Sequence, residues 1–274
     1  MFYPEDLPQK DELAYASKTL NSIEINGTFY SLQSPESFAR WASETPDDFV
    51  FSVKGPRYIT HIRRLKEVET PVATFFASGL LKLGSKLGPI LWQFPPNFQF
   101  NAERMKAFLK LLPHDTKAAA AVARGRDKRI LAKASLKAEA DSPVHQAIEI
   151  RHESFRTPEF VEMLREHEVA LVCADTVEWP RLMDVTSDIM YCRLHGSEEL
   201  YASGYTDEAL DVWANRVVAW ARGDEPGDAE RVIKTSGPKR KARDVFVYFD
   251  NDVKVRAPFD AQNLMRRVSK LLEK

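Results

Sequence analysis

Two cysteines in 274 residues are too few for a disulfide framework. Cys173 and Cys192 each sit in an apolar run of the kind that forms buried strands, so core packing is their expected role. Thiolate metal ligation would want closer or more numerous cysteines. Surplus charge is missing as well, since 39 Lys plus Arg face 40 Asp plus Glu. No global field therefore draws the protein to nucleic acid or to an anionic membrane, and electrostatic recognition must be local. The chain opens Met1-Phe2-Tyr3-Pro4-Glu5-Asp6, without the basic start or apolar stretch of a secretory signal, and no segment is apolar enough to span a bilayer. Together with reduced cysteines this places the protein in the cytoplasm. Repeats, low-complexity tracts and Gly/Ser linkers are also absent, which favours one domain over residues 1–274.

What is present is an alternation. Short apolar runs rich in β-branched and aromatic residues are separated by longer stretches of helical period, the pattern of βα units around a parallel sheet. Seven strands are expected, over 22–26, 49–54, 89–94, 147–151, 169–175, 189–195 and 245–250. Helices are marked by Ser34-Pro35, Asn101, Thr157-Pro158 and the spacing of Leu210, Trp213, Val217 and Trp220. The fold class is α/β, a TIM-like β/α barrel one unit short of eight. An Ala/Lys/Arg-rich segment over 115–145 reads as an exposed helical insertion, and 223–243 as a polar loop.

In a barrel strand alternate residues face the axis. The same phasing, applied run by run, turns Glu24 and Asn26, Ser52 and Lys54, Leu91 and Gln93, Glu149 and Arg151, Cys173 and Asp175, Arg193 and His195, and Tyr248 and Asp250 inward. Burying unpaired ions costs several kcal/mol each, so these groups must pair, stay hydrated or hold a ligand. They lie at the C-terminal ends of their runs, the face where barrel enzymes place their active sites. The competing explanation is structural: ion pairs such as Glu24 with Arg193, or Glu149 with Arg151, that merely close the barrel.

The loop Lys54-Gly55-Pro56-Arg57, followed by Thr60-His61 and Arg64, gathers three cations and an imidazole suited to anion capture. A carboxylate beside His195 would fix its tautomer for acid/base work. No cofactor is expected. A divalent metal is a weaker alternative, because no tight His-x-His or Glu-x-x-His spacing occurs and Lys54, Arg151 and Arg193 would repel a cation. Lys239, Arg240, Lys241 and Arg243 form a basic cluster read as a solvated loop, so nucleic acid is not the favoured partner.

The runs Ser22-Ile23-Glu24-Ile25-Asn26-Gly27-Thr28-Phe29-Tyr30, Phe51-Ser52-Val53-Lys54-Gly55-Pro56-Arg57-Tyr58-Ile59-Thr60-His61 and Leu87-Gly88-Pro89-Ile90-Leu91-Trp92-Gln93-Phe94-Pro95-Pro96 resemble the YecE-like family, domain of unknown function 72. Glu149-Ile150-Arg151-His152-Glu153-Ser154-Phe155, Ala174-Asp175-Thr176, Tyr191-Cys192-Arg193-Leu194-His195-Gly196 and Tyr248-Phe249-Asp250-Asn251-Asp252 look like its later signatures. The resemblance covers nearly the whole chain in the family's order. It implies a TIM-like barrel and leaves the reaction open. Family members usually begin with a further strand ending in Gly-Thr-x-Gly-Trp, which would explain the missing unit.

The expected activity is acid/base chemistry on a small anionic or sugar-like substrate. Glu149, Asp175 and His195 would transfer protons. Lys54, Arg57, Arg151 and Arg193 would hold negative charge, while Glu24, Asn26, His61, Gln93, His152, Tyr248 and Asp250 complete the binding set. Metal-dependent phosphodiester hydrolysis and non-catalytic anion binding are the alternatives.

Overall fold

A computed structural model describes residues 2–131, 133–138, 141–196, 204–251 and 256–273. The chain divides into two compact units, one of residues 7–148 and one of residues 149–274 together with 1–6.

Within 7–148, strand β1 (Ser22–Ile25) pairs in parallel with β2 (Val50–Lys54), and β2 with β3 (Leu87–Gln93). The Ile90 amide donates to His145 O at 2.9 Å, just ahead of β4 (Gln146–Glu149). All seven residues of β3 are buried, which suits a run with no polar alternation. Trp92 packs edge-on against Phe75 of α4 (Glu69–Ala77) and Phe108 of α5 (Ala102–Leu109), at centroid distances of 5.7 and 5.2 Å. Its indole N–H is satisfied by Gln146 Oε1 at 2.9 Å.

Gly55 ends β2 against this indole. A Cβ there would lie 2.4 Å from a Trp92 ring carbon. Gly55→Ala is therefore expected to lower unfolding stability by about 1–3 kcal/mol, the cost of overpacking a filled core. A urea denaturation midpoint equal to the parent's would refute that packing.

Helix starts follow their sequence signals. Ser34 caps α3 (Pro35–Ser43), Asn101 caps α5 and Thr157 caps α7 (Pro158–Glu166), each side chain accepting from the amide three residues on. The 115–145 segment departs from expectation. Its helix, α6, is confined to Thr116–Ala123, and Ala119 and Ala123 are fully buried rather than solvated. α6 packs against α4, and the short alanine side chains allow that close approach.

Within 149–274, β5 (Ala170–Asp175) pairs in parallel with β6 (Ile189–Leu194), and β6 with β7 (Asp244–Phe249). One sheet face packs on α8 (Asp207–Ala221) and α9 (Ala257–Leu272) through a core that includes Cys173, Cys192, Leu194, Trp213, Ala214 and Leu264. Both cysteines are reduced and buried, as expected. A hydrogen bond to Cys173 and burial together push the Cys192 thiol well above the usual thiol range.

The 223–243 segment has neither helix nor strand, but it is tightly fastened. The buried Asp184 carboxylate accepts from the Val232 and Ile233 amides at 2.8 and 3.0 Å. Arg165 donates to Val185 O, Thr235 Oγ1 and Thr235 O. Arg243 leaves the solvated basic cluster and is buried, which lowers its pKa from the ordinary arginine value. Lys239, Arg240 and Lys241 remain exposed.

Parallel strands alternating with helices, hydrogen-bonded in chain order, give the topology of the TIM-like β/α barrel class. Seven strands occur among the described residues where the full class has eight. No described helix is long and apolar enough to cross a membrane.

Candidate functional site

In residues 149–274 the ladder runs on past the strand ends: the His195 amide donates to Asp175 O at 3.0 Å and the Asp250 amide to Leu194 O at 2.8 Å. In-register neighbours on parallel strands share a face, and Ala174, Arg193 and Tyr248 are such a set. Alternation then carries His195 and Asp250 to the same face.

There Glu149 and Arg193, 0% and 1% exposed, form the centre of a network. Arg193 donates Nη1 to Glu149 Oε2 at 2.8 Å and Nη2 to Asp250 Oδ2 at 2.9 Å. Arg151 donates Nε to the other Glu149 oxygen at 2.9 Å. Two carboxylates thus meet two guanidiniums, which is how these ions tolerate burial. His195 is fully buried between the carboxylates, with Nδ1 3.2 Å from Asp250 Oδ2 and Nε2 3.9 Å from Glu149 Oε1. The Asp250 side chain is a third exposed, so it is the carboxylate of this network most open to solvent.

Trp179 was not anticipated. It lies in an irregular segment between β5 and β6, where no periodicity singles it out. Its ring carries the Arg151 guanidinium 4.1 Å from its centroid and meets the His195 ring edge-on at 5.4 Å. Gly196 then turns the chain at φ +103°, a conformation that favours glycine.

Asp175 is placed differently from the expected phase. It shares its face with Cys173, Cys192 and Leu194, opposite Arg193. Its Oδ2 accepts from Tyr205 Oη at 2.9 Å and from Trp213 Nε1 at 3.2 Å, and Oδ1 accepts from Arg181 at 3.2 Å. Burial and the Asp175 charge hold the Tyr205 hydroxyl protonated, above the ordinary tyrosine range. Inward on β5 are Val172 and Ala174 instead. His152 also turns aside: its Nδ1 accepts from the Ser154 amide at 3.1 Å and caps the short turn Glu153–Phe155. Tyr248 stacks at a tilt on Tyr191, ring centroids 5.1 Å apart.

In residues 7–148 two of the expected residues, Lys54 and His61, gather around Phe29. Lys54 Nζ lies 4.5 Å from the centroid of the Phe29 ring, a cation–π contact, and His61 meets the same ring edge-on at 5.0 Å. Thr28 Oγ1 donates to Lys54 O at 2.7 Å, and His61 Nδ1 is 2.8 Å from Thr60 Oγ1. Phe29, an organiser of this group, was missed because it lies in the short helix α2 (Gly27–Tyr30), not on a strand. Gln93 is buried at the end of β3 and Glu24 is half-buried on β1. Asn26 and Arg57 are exposed. Arg64 is engaged by Asn97 Oδ1 at 2.9 Å, and with Leu65 and Glu67 it takes left-handed backbone angles, a strained turn that follows the π-helical turn Tyr58–Ile62. Among the described residues no three His, Cys, Asp or Glu side chains are placed to hold a metal ion.

The family model described as "Protein of unknown function DUF72" matches residues 1–274. The chain belongs to the DUF72 family. UPF0759 protein YecE of Escherichia coli (strain K12) is 34% identical over 82 residues, 30% of this chain and 30% of that protein. UPF0759 protein YunF of Bacillus subtilis (strain 168) is 29% identical over 119 residues, 42% of each. The matched stretches therefore span less than half the length of these curated relatives. A DUF72 family protein from Thermotoga maritima MSB8 superimposes with a TM-score of 0.69 at 25% identity, over 99% of this chain and 93% of that one. One from Enterococcus faecalis V583 reaches 0.67 at 19% identity, over 94% and 88%, and shows the shared fold. These DUF72 likenesses agree with the topology read from the strands and carry no reaction with them.

Proposed function

We propose that the Glu149, Arg193, His195 and Asp250 cluster is an acid/base site acting on a small anionic or sugar-like substrate. The observation that carries this reading is the placement of one imidazole between two carboxylates, 3.2 Å from Asp250 and 3.9 Å from Glu149. Nδ1 of a histidine so placed is close enough to Asp250 for a proton to pass between them, and Asp250, the more exposed neighbour, is the group a substrate would meet. Glu149 is held by Arg151 and Arg193 and acts as the fixed countercharge behind the ring.

Of the three proton-transfer candidates named from sequence, Glu149 and His195 belong to this cluster. Asp175 is engaged by Tyr205, Trp213 and Arg181 and takes a structural part here. Lys54 and His61 are assigned to substrate binding on their own unit, with Phe29 as their shared surface.

The test is a thermal-shift screen of hydroxy acids, sugars and sugar phosphates, followed by product analysis with the best stabiliser. His195→Gln is expected to keep the fold and the ligand-induced shift while losing about 100-fold or more in turnover. Full turnover in His195→Gln would refute the acid/base role. Stabilisation of the parent protein without any product would favour capture of the ligand without chemistry.

A further inference from the structure

Arg151 is held from two sides. Its Nε donates to Glu149 Oε1, and its guanidinium plane lies over Trp179 at 4.1 Å. These contacts fix the plane and leave the terminal pair, Nη1 and Nη2, with no protein acceptor among the described residues. The side chain is 13% exposed, so it is mostly desolvated without being sealed from solvent. A planar pair of N–H donors, immobilised in advance, matches the two oxygens of a carboxylate and loses little entropy on binding it.

Charge selects among oxyanions. Among the described residues the network holds Glu149 and Asp250 against Arg151 and Arg193, one guanidinium for each carboxylate. A singly charged carboxylate adds one negative charge, whereas a phosphate dianion adds two beside existing carboxylates. We infer that the Arg151 fork, stacked on Trp179, is the binding site for a carboxylate group of the ligand. The inference rests on the site reading above and narrows its substrate to carboxylic acids. Arg151 and His195 both approach Glu149 Oε1 and both touch Trp179, so a carboxylate on the fork is bound next to the proposed proton-transfer group.

The experiment is a titration of the full chain with acetate, propionate and inorganic phosphate at pH 8, where each carboxylate carries one charge and phosphate is mainly the dianion. Chloride holds ionic strength constant, tryptophan fluorescence is the readout, and calorimetry provides the check. Saturable binding of the carboxylates is expected, with phosphate weaker. Arg151→Gln should weaken carboxylate binding about tenfold or more, the loss of a charged two-point contact. Arg151→Lys keeps the charge without the fork and should still bind several-fold more weakly, and it serves if the Gln variant does not fold. Trp179→Leu should weaken binding in the same direction, and Trp179→Phe less.

No saturable response to either carboxylate overturns the inference, as does unchanged binding in a folded Arg151 variant or phosphate binding more tightly than propionate. The acid/base reading fails separately. In that case carboxylates bind through Arg151, yet no carboxylic acid is converted and His195→Gln changes nothing but the local fluorescence.

Discussion

Replacing Arg193 by Met should lower the free energy of unfolding by about 3 kcal/mol, the low end of the range for breaking a buried ion pair from one side. Arg193 is the residue through which Glu149 and Asp250 are joined. Its removal takes a charged donor from Glu149 Oε2 in a site with no solvent exposure, although Arg151 still holds Oε1. Asp250 regains water because a third of its side chain is exposed, which keeps the loss near the lower bound. The double variant Glu149→Gln with Arg193→Met should be less destabilised than the sum of the single changes, since the orphaned charge is gone. Chemical unfolding of the four proteins provides the cycle. Strict additivity would show that the pair does not interact in solution.

Asp175→Ala should cost a comparable amount, about 2–4 kcal/mol, by a different route. Three donors lose their acceptor at once: the Tyr205 hydroxyl, the Trp213 indole N–H and Arg181 Nη1. Tyr205 and Trp213 are buried and cannot turn to water, so the penalty is that of unsatisfied polar groups and not of a lost ion pair. Asp175→Asn, which retains one carbonyl acceptor, should recover part of it. Asp175 was a proton-transfer candidate from sequence. A change in stability that accounts for the whole change in any activity would place it with the scaffold, whereas a folded Asp175→Asn protein with turnover reduced about 100-fold would return it to the chemistry.

The two strands carrying these residues show what was readable in advance. On β6 the sequence Tyr191-Cys192-Arg193-Leu194-His195 alternates between groups that suit a packed layer and groups that do not, so the period-two rule fixes the face of Arg193 and His195. β5 reads Ala170-Leu171-Val172-Cys173-Ala174-Asp175, and every position but the last suits either face. The inward phase expected for Cys173 and Asp175 fails because a tyrosine hydroxyl and an indole from the helix side can satisfy a carboxylate as well as a cavity can. The positions of the seven strands were legible because each is bounded by helical period or by turn residues. Trp179 and Phe29 were not, because an aromatic in an irregular segment or a four-residue helix carries no pattern that separates a ligand platform from ordinary packing. The alanines of α6 were misjudged for a related reason: composition describes propensity, whereas burial depends on which neighbour arrives.

The inverted phase of β5 bears on the size of the cluster. Ala174 stands beside Arg193 on the same face, so the smallest side chain that still has a Cβ adjoins a large, fully buried cation. A guanidinium needs lateral clearance to point one nitrogen at Glu149 and another at Asp250, and a branched residue at 174 would take up that clearance. The reach of Arg193 to both acids is therefore governed by one methyl group on the adjacent strand.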